Sequence, residues 1–210
     1  MDSTRSSPKV GYGAAASPAH TLVEGIDRAL ASLAYLTAHR IYVNDGDEAD
    51  ANGIAAHSIC AVVQGGLPAQ VAQAIYLHKA PGIGTHGAAS GTYTDEDGVA
   101  HVVRFQRATN TRVTFTVELT VSGSFDQTAA KTAIQRAVYD FMSQQGIGQD
   151  LITSRLYGVI YGAYPEAISR FTVTLLAVNT SAGATSATLA CAWNQIYSLY
   201  SAEMVAVSFA

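Results

Sequence analysis

An α+β fold in two small consecutive units is what this sequence predicts, and three observations carry it. Helical stripes and alternating strand patterns recur along the chain. An Asp-Gly turn between two alternating runs at 89–106 marks an antiparallel hairpin. A helix, a short break and an alternating strand occur at 21–44 and again at 150–176. Together they predict helices packed on one face of mixed or mostly antiparallel sheets. The units are placed at 19–107 and 108–210, after a polar, Gly- and Pro-containing lead-in at 1–18 that reads as flexible or extended.

The elements follow in order. In TLVEGIDRALASLAYL, Leu22, Ile26, Leu30 and Leu33 form an amphipathic stripe. Thr21 with Glu24 offers a capping box, and Ser17-Pro18 an earlier start. HRIYVN (39–44) alternates as a short strand, an acidic loop follows at 45–53, and HSICAVVQ (57–64) is a second strand ended by Gly65-Gly66. Pro68 suits the first turn of the next helix, PAQVAQAIYLHKA. Gly82 is placed to end that helix in the left-handed conformation, with Pro81 forbidding its continuation. Strands 89–95 and 100–106 flank Glu96-Asp97-Gly98, so Asp97 and Gly98 make the hairpin turn.

The strand TRVTFTVELTV (111–121) sets Val113, Phe115, Val117, Leu119 and Val121 on one face. Ser124 with Gln127 predicts a capping box for a helix whose stripe is Ala130, Ile134, Val138 and Phe141, ending near Gly146. Asp150 is placed to cap a fourth helix that exits at Pro165. ISRFTVTLLAV (168–178) is a strand, and the tail holds two or three more, ending in EMVAVSF.

Composition narrows the function classes. Of 210 residues, 49% are hydrophobic, enough for a packed core, and 13% are charged, against ~25% in an ordinary domain. Two readings of that deficit stand side by side: a surface partly covered by other subunits, or a sequence rich in Ala, Gly and Thr. Net charge is −4 without a basic block, which leaves nucleic-acid binding without a source of counterion release. No apolar run reaches the ~18–20 residues of a membrane span, and the N-terminal stretch lacks the apolar region of a signal peptide. Cys60 and Cys191 sit in apolar, strand-like surroundings and read as reduced, buried small hydrophobes.

Several motifs invite chemistry. Gly82-x-Gly84-x-x-Gly87 has dinucleotide-turn spacing, but it follows a helix and precedes a strand, the reverse of the order that aims a helix N-terminus at a pyrophosphate. Glu48, Asp50, Asn52 and Gly53 approach a calcium loop, yet the first position is Glu and the twelfth is Ile59, so a solvated loop is expected. His20, His39, His57, His78, His86 and His101 form no HxxxH, HxH or Cys-linked pair, and no metal or other cofactor is expected. No GxSxG turn is present, and Cys60 and His57 fall on opposite faces of their strand. Arg104 and Arg107 flank Phe105, a pattern read as hairpin-edge salt bridges or an interface.

These residues also carry a resemblance. HSICAVVQGG (His57–Gly66) is similar to hSIxVVVxGG. The stretch Val71–Gly87, ending KAPGIGTHG, resembles VAxAIxxxKAPGIGTxG. Asp95–Thr109 resembles DxxGxxxxVxFxRPT. In this order the patterns are the central signature of the baseplate J-like protein family of contractile-tailed bacteriophages. The match is dense over about 50 residues, and compatible features extend it over 20–178. Two departures are Ala108, where the family commonly has Pro, and Thr37-Ala38 in place of a frequent Pro-Gly; both are expected to loosen turns. The resemblance implies a structural protein of the baseplate wedge in the virion, made in the bacterial host cytoplasm, related to components of tailocins. It implies association with itself, most simply as a dimer, and with other wedge proteins, and no small-molecule substrate. It also implies that this chain is the C-terminal part of a longer protein, with 1–18 the remnant of a link.

Two rival classes follow from single features. The glycine spacing motivates a nucleotide- or small-ligand-binding module. An exposed Trp193 and several tyrosines motivate glycan binding. Against the first, Lys79–Gly87 is expected to be a connector in which Gly82, and at least one of Gly84 and Gly87, takes positive φ or lies against neighbouring backbone.

Overall fold

The computed structural model describes residues 22–210. The lead-in at 1–18, the Ser17-Pro18 and Thr21 helix-start signals and His20 lie outside the described residues. The fold is α+β, with mixed sheets.

The first part of the chain builds α1 (Leu22–Ala31), β1 (Leu36–Asn44), β2 (Ser58–Gly65), α2 (Pro68–His78), β3 (Gly84–Thr85), β4 (Ala89–Thr94) and β5 (Ala100–Arg107). Ile26 and Leu30 of the α1 stripe are buried, whereas Leu22 is exposed and Leu33 half-buried. The helix stops at Ala31, five residues short of the run read as helical. Tyr35 takes a positive φ of 64°, and Leu36 already belongs to β1. A left-handed residue cannot continue a right-handed helix, so the periodic leucines overstate its length.

The strand order is β1-β2-β5-β4, with β3 also on β2. β1 and β4 run antiparallel to their neighbours, while β5 and β3 run parallel to β2. Ile59, Ala61 and Val63 of β2, with Val103 and Phe105 of β5, pack under Ile26, Leu30, Val71 and Ile75 of the two helices. Alternate residues point the other way, so Cys60 and Val62 meet Ile54, Ile147 and Ile196 instead. Ser58–Val63 is therefore buried on both faces, which explains its continuous apolar character.

The second part contributes β6 (Thr109–Arg112), β7 (Thr114–Val121), α3 (Gln127–Ser143), α4 (Thr153–Ala163), β8 (Phe171–Thr180), β9 (Gly183–Thr185), β10 (Gln195–Ser198) and β11 (Val205–Phe209). Its sheet is β11-β7-β8-β9, and β6 pairs separately with β10. Phe115, Val117 and Leu119 pack with Ile134, Val138, Leu156 and Ile160 in one core.

Several sequence expectations need correction here. The strand at 111–121 is two strands. Val113, buried, donates its N–H to Ser198 O at 3.0 Å, and the chain passes from pairing with β10 to pairing with β8 and β11. Ser124 does not cap α3. Asp126 does, its Oδ1 accepting from Ala129 N–H at 3.0 Å, because the cap must sit directly before the helix and reach its third residue. The fourth member of the α3 stripe is Met142, four residues after Val138, and Phe141 is only half-buried. Asp150 does not cap α4 either. Its Oδ1 accepts from Cys191 N–H at 2.8 Å, and α4 starts three residues later at Thr153. Ile168–Arg170 form a turn, with β8 beginning at Phe171, and Glu203-Met204 lie in a short 3₁₀ turn before β11. The repeated helix–strand pattern also ends differently in its two copies: among the described residues β1 is an edge strand, whereas β8 lies between β7 and β9.

Candidate functional site

The glycine-rich connector is where the sequence concentrates its signal. The helix before it ends at His78, and Lys79 is already extended (φ −74°, ψ 152°), so Gly82 is not the residue that terminates α2. Ala80 must avoid the helical region because Pro81 follows it. The chain then makes a separate turn. Ile83 N–H donates to Ala80 O at 3.3 Å, with Pro81 at the second position and Gly82 at the third, φ 81°. This is the residue order of a type II turn.

Gly84 opens β3. A methyl group there would lie 2.6 Å from Ser58 Oγ. Gly87 has φ 146°, and a methyl there would overlap the Phe105 carbonyl group. Thus Gly82 serves the turn, and Gly84 and Gly87 let the chain lie against β2 and β5. The next helix after the connector is α3, forty residues on, so the connector does not lead into a helix N-terminus.

Asp97 and Gly98 close the β4–β5 hairpin, with Gly98 at φ 79°. They sit at the opposite end of β4 from Gly87, roughly 20 Å away for a six-residue strand. The two predicted sites are therefore not brought together. The tip is held by Asp95, whose Oδ1 accepts from Val99 N–H (2.8 Å) and Asp97 N–H (3.1 Å). Its Oδ2 lies 2.7 Å from His101 Nε2, and these bonds, the His101 contact foremost, hold the Asp95 carboxyl below its ordinary pKa. His101 stacks on Tyr76 of α2 at 4.3 Å, with Tyr76 Oη 3.1 Å from Nε2. Nε2 thus lies against both Asp95 and Tyr76, and the arrangement clasps hairpin to helix.

Two other histidine–aspartate pairs are similar clasps. His39 Nε2 lies 3.0 Å from Asp27 Oδ1, joining β1 to α1, and His57 Nε2 lies 3.1 Å from Asp47 Oδ1 in the acidic loop. In that loop Asp50 Oδ1 accepts from Asn52 and Ile54 N–H, both at 2.8 Å. Asn44, buried, donates to Glu48 O and Ile54 O at 2.7 Å each. Among the described residues no group of three or more His, Cys, Asp or Glu side chains is gathered for a metal. Cys60 is fully buried, and burial pushes its thiol up to about 11, away from nucleophilic use.

Among the described residues Arg107 makes no salt bridge, contrary to the hairpin-edge expectation. Its guanidinium donates to Gly65 O and, at 3.0 Å, to Gly66 O, and lies 4.9 Å from the Phe105 ring centroid. It fastens β5 to the carbonyls at the end of β2. Arg104 is exposed, and its backbone N–H donates to Thr85 Oγ1 at 3.0 Å. The residues at the two positions that depart from the resembled pattern make bonds of their own. Ala108 N–H donates to Val63 O at 2.9 Å, a bond that proline cannot make. Thr37 sits at a bulge in β1 and its Oγ1 donates to Gln64 Oε1 at 3.1 Å.

What sequence reasoning missed is the seam between the two parts of the chain. Arg40 Nη1 donates to Ile147 O at 2.8 Å, and Tyr42 Oη donates to Trp193 O at 2.7 Å. Trp193 is half-buried and meets the Tyr42 ring edge-on at 5.4 Å, so it is not the exposed stacking platform the glycan reading needs. Beside the seam lies a groove of about 510 Å³, bordered by Thr37, Gln64, Tyr139, Ser143, Tyr197 and Tyr200. Among the described residues no histidine, cysteine, carboxylate, lysine or arginine lines it, and its ionisable side chains are the three tyrosines. Alternation in 39–44 was the only available signal for the seam, since it puts Arg40 and Tyr42 on one face. Compared with protein-family models and with curated proteins, the chain matches none.

Proposed function

We propose that this protein is a structural component of a contractile-tail baseplate, a wedge protein that works by contact with copies of itself and with neighbouring wedge proteins. The observation that carries the reading is the run of resembling segments, His57–Gly66, Val71–Gly87 and Asp95–Thr109. They supply β2, most of α2, the connector and β5, which pack together as one body. The resembling positions include those where packing leaves little choice, among them Gly87 against the Phe105 carbonyl. Low charge agrees with a surface partly covered by other subunits. In this reading the protein resides at the tail tip of the particle and performs no catalysis.

The test is the DNA on either side of its gene, together with immunogold microscopy of tail particles from the host. Tail sheath, tube and baseplate genes alongside it, and gold at the tail tip, are the expected results. A gene outside any tail cluster, with unlabelled particles, overturns the reading. The rival, a nucleotide-binding module, is decided by calorimetric titration with NAD, FAD and ATP. Micromolar binding lost on Gly84→Ala would establish it in place of the tail reading.

A further inference from the structure

The outer edge of β4 carries an inference of its own. Among the described residues β4 pairs with β5 alone, so its second edge has no ladder. The direction of its backbone groups follows from two hydrogen bonds. Asp95 N–H donates to Val99 O across the hairpin at 3.0 Å, so Asp95, and by alternation Tyr93, Gly91 and Ala89, face β5. Arg104, opposite Ser90, donates its N–H away from β4 to Thr85 Oγ1. Ser90, Thr92 and Thr94 therefore turn their N–H and C=O groups outward.

All three side chains are exposed, and Ala89–Thr94 contains neither charge nor proline, the usual blocks to edge pairing. The strand keeps regular register with β5 throughout, so no bulge twists the edge away. From above, α2 holds it in place: Gly91 lies so close to Pro68 O that a methyl group would overlap it. Other sheet edges are less open. β9 has three residues. On β11, Val205 O is taken by Gln135 Nε2 at 2.8 Å. β1 carries His39 and Arg40, both engaged with other elements.

We propose that a second copy of this chain occupies the β4 edge, pairing antiparallel about a two-fold axis through Thr92. The occupant follows from self-complementarity. With Thr92 opposite Thr92 of the other copy, Ser90 falls opposite Thr94 on both sides, and hydroxyl side chains meet hydroxyl side chains without a charge clash. The open groups then form about six backbone hydrogen bonds. The sheet becomes continuous from β1 of one copy to β1 of the other, and Val102, 67% exposed beside Thr92 on β5, gains a neighbour across the axis. This inference deepens the self-association of the tail reading by naming the strand that carries it, and its own observations are those of the β4 edge.

Sedimentation velocity of the full chain, over a series reaching several hundred micromolar, tests it. The wild type is expected to dimerise. Thr92→Lys, which sets two ammonium groups face to face, is expected to weaken the dimer at least tenfold, with circular dichroism and melting of the monomer unchanged. Glu118→Lys, on an exposed position of β7, is expected to leave dimerisation intact. Hydrogen exchange supplies a reading that needs no substitution: the amides of Ser90, Thr92 and Thr94 should slow as concentration rises. A monomeric wild type overturns the proposal. So does a dimer that Thr92→Lys leaves unchanged, or one whose three amides still exchange freely. The gene neighbourhood and immunogold results are untouched by these outcomes, so failure here is distinct from failure of the tail reading.

Discussion

Tyr42 Oη donates to the carbonyl oxygen of Trp193 at 2.7 Å, joining residues 151 positions apart in the chain. Trp193 is the single tryptophan, so its fluorescence reports on the seam directly. Tyr42→Phe keeps the ring against the indole but leaves the carbonyl without this donor. The expected loss is about 1–2 kcal/mol in urea unfolding. Tyr42→Ala also removes the ring and should cost about 3 kcal/mol or more, with a red-shifted Trp193 emission. Emission and stability unchanged in both variants would mean the bond contributes nothing to joining the two parts.

The connector glycines should rank by what surrounds them. Gly87→Ala drives a methyl into the Phe105 carbonyl group and should lose about 2–3 kcal/mol or more. Gly84→Ala meets Ser58 Oγ, a side-chain atom able to rotate, and should lose about 1 kcal/mol. Gly82→Ala meets nothing within 4 Å, so only its left-handed φ of 81° matters, at about 1–2 kcal/mol. Thermal melts of the three variants give the order. Equal stability with wild type in all three would remove the packing explanation.

The two thiols should differ in reactivity. Cys60 is fully buried with its pKa pushed up to about 11, whereas Cys191 is half-buried, its Sγ donating to Gln195 O at 3.2 Å. Thiol labelling at pH 8 should modify Cys191 first, and Cys60 only as fast as the protein unfolds. Cys60 labelling at the rate of a free thiol would contradict its burial.

Asp95 gives the hairpin an acid-sensitive clasp. Its carboxyl ionises below the ordinary value of 3.8, chiefly through His101 and then through Val99 N–H. A depressed folded pKa makes the stabilisation complete above the unfolded value, and it is lost as pH falls through the folded one. Asp95→Asn should therefore be less stable than wild type at pH 7, and the gap should narrow below about pH 4. Urea unfolding at pH 7 and pH 3 measures it. A gap independent of pH would place the Asp95 contribution elsewhere.

Much of the local structure was legible in the chain. α2 starts at Pro68, β4 and β5 flank Asp97-Gly98, and 114–121 alternates as a half-buried strand should. In each case one residue's covalent geometry, or one period of side-chain direction, suffices. Helix ends were less legible because competing caps look alike in sequence. Ser124, Asp126 and Asp150 are all capable acceptors, and only the path of the chain gives Asp126 to α3 and Asp150 to Cys191 N–H.

The sequence by itself determined the α+β class, the antiparallel hairpin and the need for glycine in the connector, since these rest on periodicity and backbone sterics within a few residues. The tertiary structure alone decided where 109–121 breaks, why Gly91 must be glycine under Pro68, and which residues join the two parts at Arg40, Tyr42, Ile147 and Trp193. Those depend on partners more than twenty residues away, and in several cases more than a hundred. The face a strand presents is written in its alternation, but the neighbour that covers that face is chosen only when distant segments compete to bury it.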